Sequence, residues 1–190
     1  MTYIQAISLS IIEGITEFLP ISSTGHLIFN ILIQLSAVLA VVTLYRKRIL
    51  HSQHLWKQLT IAFIPTGILG FTLFKYIKGF LLDSVFVTVI ALFIGGIILL
   101  IIDRLPKLKQ GSKNISGLKN RNLLSIGLFQ SLSMIPGVSR SAASIVGGLF
   151  SGLTRTEAVE FSFLLAIPTI ILATGYDLLK TGFTFTGHQY

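Results

Sequence analysis

The chain has 190 residues, 52% of them hydrophobic and only 12% charged, with a mean hydropathy of +0.81. This balance argues against a freely soluble domain, and the absence of cysteine excludes disulfides and thiolate metal sites. A net charge of +8 would suit nucleic acid, but the basic residues fall between apolar spans without a nucleic-acid motif, so loop topology is the expected cause and no nucleic-acid partner is expected.

The first segment, M-T-Y-I-Q-A-I-S-L-S-I-I-E, lacks a basic n-region and a small-residue cleavage site, so it reads as mature sequence. Residues 3–18 are apolar but carry Glu13 and Glu17 and stop at Pro20, too short and too polar for a simple span. Residues 13–26 read E-G-I-T-E-F-L-P-I-S-S-T-G-H. Glu13 and Glu17, four apart, share one helix face, and Pro20 is expected to end regular structure before Ser22, Ser23, Thr24, Gly25 and His26. Ionisable groups at membrane depth cost about 2.5–3.5 kcal/mol each on insertion scales, so function is the default reason for this concentration of carboxylates, hydroxyls and imidazole.

Residues 27–45 are an apolar run followed at once by Arg46, Lys47 and Arg48; residues 58–74 are a second, with Pro65 and Gly67 predicting a kink. Residues 80–102 make the cleanest crossing. The polar stretch 103–121, with Pro106, is the expected boundary between halves 1–102 and 122–190 of a single membrane domain, 1–190. Two crossings separate the 46–57 and 103–121 loops, which together hold ten of the fifteen Lys and Arg residues. The positive-inside rule makes that side cytoplasmic and opens the polar loop before residue 27 to the outer face. Trp56, His51 and His54 read as interfacial anchors.

The second half repeats the pattern. Residues 122–135 are too short to cross and break at Pro136-Gly137 into V-S-R-S-A-A-S; residues 145–153 turn apolar again, 151–156 make a turn, and 157–175 form a crossing containing Pro168. The segment P-I-S-S-T-G at 20–25 resembles P-G-V-S-R-S at 136–141. The expected fold is therefore all-α: a polytopic membrane bundle with two re-entrant helix-loop-helix segments, near 19–26 and 136–144, related by an internal inverted repeat. The first half is short of chain. Nineteen residues at about 1.5 Å each cannot supply both a return half-helix and a full crossing, so either the first loop is built differently or about twenty residues of a longer ancestor are missing.

Arg140, flanked by Ser139 and Ser141 after Pro-Gly, offers a guanidinium, hydroxyls and free N–H groups suited to phosphate, and a helix starting near 141–144 would aim its positive end at the same anion. The carboxylates of the first loop could hold a hard divalent cation through oxygen. Anion clamp, cation site and a nucleophile or base are the parts of metal-assisted phosphoryl transfer.

These residues resemble the undecaprenyl-diphosphate phosphatases, also called bacitracin-resistance proteins. The likeness rests on E-x-x-x-E with F-L-P-I-S-S-T-G-H-L at 13–27, I-Q-L-S-A-V-L-A-V at 33–41, I-P-G-V-S-R-S at 135–141 and F-S-F-L-L-A-I-P at 161–168. It implies removal of the terminal phosphate of a C55 isoprenoid diphosphate, regenerating the lipid carrier of cell-wall synthesis at the outer face of a bacterial inner membrane, and hence bacitracin resistance. It also implies Glu13 and Glu17 as ligands of Mg²⁺ or Ca²⁺, with Glu17, Ser23, His26 and Arg140 catalytic. Ser22, Thr24, Ser139, Arg140 and Ser141 would bind the substrate, in a setting of membrane lipids and with a homodimer left open. Ser23 and His26 both stand as nucleophile or base. The family's second motif usually ends in threonine where this chain has Ser144, and its members are longer.

Simpler roles exist for single residues: a hydroxyl repairing a helix break at Ser22, a helix cap at His26, a snorkelling Arg140. Gly95-Gly96 and Gly147-Gly148 read as helix-packing points, and Glu157 and Glu160 as a charge cluster near Arg155. A transporter or flippase of lipid phosphates would use the same loops without a nucleophile, and an inactive shortened relative would keep the motifs without the pocket.

Overall fold

The computed structural model describes residues 23–76, 84–105 and 111–181, with side chains described over 33–73, 84–102, 104–105 and 111–175. Glu13, Glu17 and Ser22, and with them residues 19–22 of the first expected loop, lie outside the described residues. Six α-helices follow in order: α1 (Ser23–His51), α2 (Gln53–Tyr76), α3 (Val85–Arg104), α4 (Asn120–Ser131), α5 (Arg140–Phe150) and α6 (Arg155–Thr181), with 3-10 turns at Ile115–Gly117 and Leu132–Met134. The described residues contain no strand; their single β-bridge pairs Lys113 with Leu153.

Hydroxyls set the helix starts. The N–H groups of Leu55, Val87, Ala142 and Glu157 donate to Ser52, Ser84, Ser139 and Thr154 at 3.2–3.3 Å, each cap worth about 1 kcal/mol over alanine. The capping at Ser52 explains a difference from expectation. Residues 46–57 are not a loop, because α1 runs to His51 and α2 begins at Gln53, so the basic residues ride on helix ends. Residues 27–45 are not a separate crossing: they lie within α1, one helix of 29 residues that begins at Ser23.

The two basic segments meet at one end of the molecule. Arg48 of α1 pairs with Glu160 and, at 3.7 Å, with Glu157, so the cation facing these acids comes from the far half of the chain. Glu157 Oε2 also accepts from the Ile115 N–H at 2.9 Å, while Gln58 Nε2 donates to the Ile115 carbonyl at 2.7 Å. One residue of the inter-half segment is thus held through both its N–H and its carbonyl. Trp56 Nε1 donates to the Ile49 carbonyl and closes the α1–α2 corner.

From this end α4 and α5 form a helical hairpin. Its open end is closed by Asn122 Nδ2 donating to the Ser151 carbonyl at 2.8 Å, and its arms are joined by stacked Phe129 and Phe150, 5.7 Å between centroids. Arms of 12 and 11 residues reach about 18 and 16 Å, roughly half a hydrocarbon core. Leu59 and Ala62 of α2, Leu123 and Ile126 of α4, Val146 and Leu149 of α5, and Phe161, Leu164 and Leu165 of α6 bury the hairpin in the core. Glycine lets the backbones touch: a Cβ at Gly127 would collide with the Ala62 carbonyl and Pro65, and one at Gly147 would stand 2.8 Å from Phe129 Cβ.

Among the described residues two helices, α3 and α6, are long and apolar enough to cross a membrane. They differ in surroundings. α6 is largely packed, whereas α3 exposes Val85, Phe86, Leu92, Phe93 and Leu100. The expected packing role holds for Gly147 and Gly148 but not for Gly95 and Gly96, where a Cβ would meet nothing within 4 Å among the described residues.

Candidate active site

The tip of the hairpin presents the second sequence motif. The 3-10 turn ending at Met134 and the bond from Val138 N–H to the Ile135 carbonyl fold the chain over Pro136-Gly137. Gly137 has φ of 91°, and a Cβ there would stand 2.5 Å from the Thr88 carbonyl oxygen of α3, so conformation and space both require glycine. Ser139 then caps α5, and Arg140 is its first residue.

At that helix start, Ser139 Oγ and Ser141 Oγ lie 3.1 Å apart. Behind them, Ser144 Oγ donates to the Arg140 carbonyl at 3.0 Å and lies 2.7 Å from Ser162 Oγ of α6, anchoring the first turn of α5 to the core. Arg140 Nη1 is buried with no hydrogen-bond partner among the described residues. A desolvated guanidinium N–H without an acceptor is costly, and an anion seated at the helix N-terminus would satisfy it together with free backbone N–H groups.

Ser139, Arg140 and Ser141 stand together at the start of α5. Ser23, Thr24 and His26 fall in the first turn of α1, where an irregular loop was expected; their side chains lie outside the described set. A straight α1 carries His26 about 33 Å from the level of Arg48, whereas α5 sets Arg140 about 16 Å from Ser151 at the same end. Among the described residues no group of three or more His, Cys, Asp or Glu side chains could hold a metal, and both expected carboxylate ligands, Glu13 and Glu17, lie outside them.

A buried polar group behind the tip was not anticipated. Gln130, fully buried near the end of α4, donates through Nε2 to Thr66 Oγ1 of α2 and Thr169 Oγ1 of α6, both at 3.2 Å. Each threonine follows an in-helix proline, in I-P-T at 64–66 and again at 167–169. That repeated tripeptide was the available signal.

Comparison with known proteins decides the family. A family model described as bacitracin resistance protein BacA matches residues 6–189. The chain belongs to this family. Undecaprenyl-diphosphatase of Aquifex aeolicus is 48% identical over 206 residues, covering 100% of this chain and 80% of the relative. The undecaprenyl-diphosphatases of Wolinella succinogenes and Thermus thermophilus are 46% and 43% identical, covering 98% and 93% of this chain and 78% and 75% of theirs. The alignment with the Aquifex relative is longer than the 190 residues of this BacA-family chain, in keeping with the expectation of missing residues relative to longer members.

Proposed function

We propose that this protein is a membrane phosphatase that hydrolyses undecaprenyl diphosphate to undecaprenyl phosphate, recycling the lipid carrier of cell-wall synthesis and thereby conferring bacitracin resistance. Family membership and the activity named for relatives at 43–48% identity support the reaction. The observation that carries it in this chain is the partnerless, buried Nη1 of Arg140 at the capped start of α5.

In this reading the α4–α5 hairpin is re-entrant: it enters from the basic, cytoplasmic end, turns near mid-depth and returns, its irregular backbone tolerated because protein surrounds it. It forms half of an inverted repeat in a polytopic inner-membrane bundle, with the site open to the outer face. Arg140 and the α5 N-terminus hold the diphosphate, with Ser139 and Ser141 as further donors, and stabilise charge developing on the leaving phosphate. Ser22 and Thr24 complete the phosphate pocket. Glu13 and Glu17 hold the divalent cation, which supplies charge neutralisation when bound, and Glu17 with Ser23 and His26 provides the base or nucleophile.

Phosphate release from a detergent-solubilised prenyl diphosphate tests this. Arg140→Ala is expected to lower kcat/KM at least about 10²-fold, and chelation of divalent cations to stop turnover. Unchanged kcat/KM, or lipid translocation without phosphate release, would refute the assignment. Because the chain has no cysteine, Thr24→Cys with Ser139→Cys gives a clean geometric check. A straight α1 puts residue 24 about 18 Å beyond residue 139, so joining by a short bis-maleimide would show that α1 bends toward the hairpin tip; no intramolecular cross-link would mean the two loops do not share a pocket.

A further inference from the structure

Gln130 and Ser144 flank the anion-binding tip, one on each arm of the hairpin, and both reach α6. Their partners there, Thr169 and Ser162, are seven residues apart. Seven residues are close to two helical turns, so both contacts fall on one face of α6 about 10.5 Å apart. The tip, with Pro136, Gly137, Ser139 and Arg140, is thus strung between two fixed points on a single rod, and Gln130 adds a third point at Thr66 of α2.

The bonding state of Gln130 argues that stability is not its purpose. Thr66 Oγ1 already donates to the Gly127 carbonyl at 3.0 Å and Thr169 Oγ1 to the Leu165 carbonyl at 2.7 Å. Both hydroxyl protons are therefore used without the amide. Gln130 Oε1, by contrast, is buried with no partner among the described residues. A buried acceptor left without a donor is a liability that an apolar residue of similar shape would remove. What glutamine adds is direction: one amide nitrogen fixes the end of α4 against two helices at once, each beside its proline.

We propose that Gln130 is a positioning residue for the phosphate-binding loop, setting the span from which Arg140 is presented. The inference rests on the phosphatase reading and adds to it a residue outside the recognised motifs. Displacement of a binding group by about 1 Å can cost on the order of 10²-fold in rate, so a loosened anchor should be read at Arg140 rather than in the fold.

The test is a cycle of Gln130→Leu, Arg140→Lys and the double variant in the full chain. Gln130→Leu should leave the melting temperature unchanged or raised while kcat/KM falls about ten- to hundredfold. In the Arg140→Lys background the same change should cost less than about twofold, because the group being aimed is already altered. Equal losses in both backgrounds, a lowered melting temperature in proportion to activity, or no loss at all would overturn the proposal. Thr169→Val against Thr169→Ser carries the test if Gln130→Leu does not accumulate: only the valine variant should lose activity, and equal behaviour of the two would count against it. Binding of inorganic diphosphate gives a second readout, weakened about tenfold by Gln130→Leu. A chain that binds diphosphate through Arg140 yet releases no phosphate from prenyl diphosphate overturns the phosphatase reading, and the positioning role is then judged on binding alone.

Discussion

The α4–α5 hairpin and the helix α3 contrast in both composition and surroundings: α3 is much the more apolar, while the hairpin arms mix apolar with small and polar residues. The hairpin is tied to its neighbours by Gln130 and Ser144 and closed on itself by Asn122 and Ser151, and its glycines bring backbones into contact. Among the described residues α3 carries no such ties along Val89 to Ile101, and it meets the hairpin through Thr88 and Ala91 at Gly137. A bare α3 suits a lipid solvent, where apolar surface alone creates no drive toward a neighbour. The comparison teaches that what holds a helix in place here is its small and polar residues, while its large apolar ones only make it compatible with its surroundings.

Three substitutions can break or sharpen that contrast. The largest effect is expected from Gly127→Ala, whose methyl group would be forced onto the Ala62 carbonyl and Pro65; a loss of about 3 kcal/mol or more should appear as reduced folded yield and melting temperature. A wild-type melting temperature would show that α2 and α4 can part without cost. Arg48→Met should have a smaller effect, about 1 kcal/mol, since Arg48 is partly exposed while its partners Glu157 and Glu160 are more buried. Its loss should shrink as salt is added, and a salt-independent penalty would point to packing of the Arg48 stem instead. The smallest effect is expected from Gly95→Ala on α3, where nothing waits for the methyl group: a change within about 0.5 kcal/mol, or slight stabilisation from helix propensity. A loss as large as that of Gly127→Ala would mean that another surface covers α3.

Much of this was legible beforehand, and the reasons are local. Pro136-Gly137 followed by a serine cap fixes a turn and a helix start by steric and hydrogen-bonding rules that act within five residues, so the hairpin turn was legible from the letters alone and the helix start, expected near 141–144, was placed only one residue late. The basic segments were correctly brought to one end, because charge and span counting determine sides. The loop expected over 46–57 was not found, since basic composition marks a membrane edge equally well when it sits on helix ends. Contacts between distant segments were hidden. Glu157 and Glu160 do form the expected charge cluster, but no local pattern announced that Arg48 joins it from more than a hundred residues away. Gln130 sits in an unremarkable L-F-Q-S-L-S stretch, and only the folded arrangement of two I-P-T tripeptides gives it meaning.

The pair of contacts at Ser162 and Thr169 has a consequence for how this sequence can change over time. The interval between them works as a ruler whose graduations are backbone steps, so of its six interior residues the exposed Phe163 is open to exchange while its length is not. One inserted residue would turn everything beyond it by about 100° and swing the Thr169 hydroxyl away from the hairpin. Drift in this part of the protein is therefore confined to substitutions, with gains and losses of chain pushed out to the connecting segments.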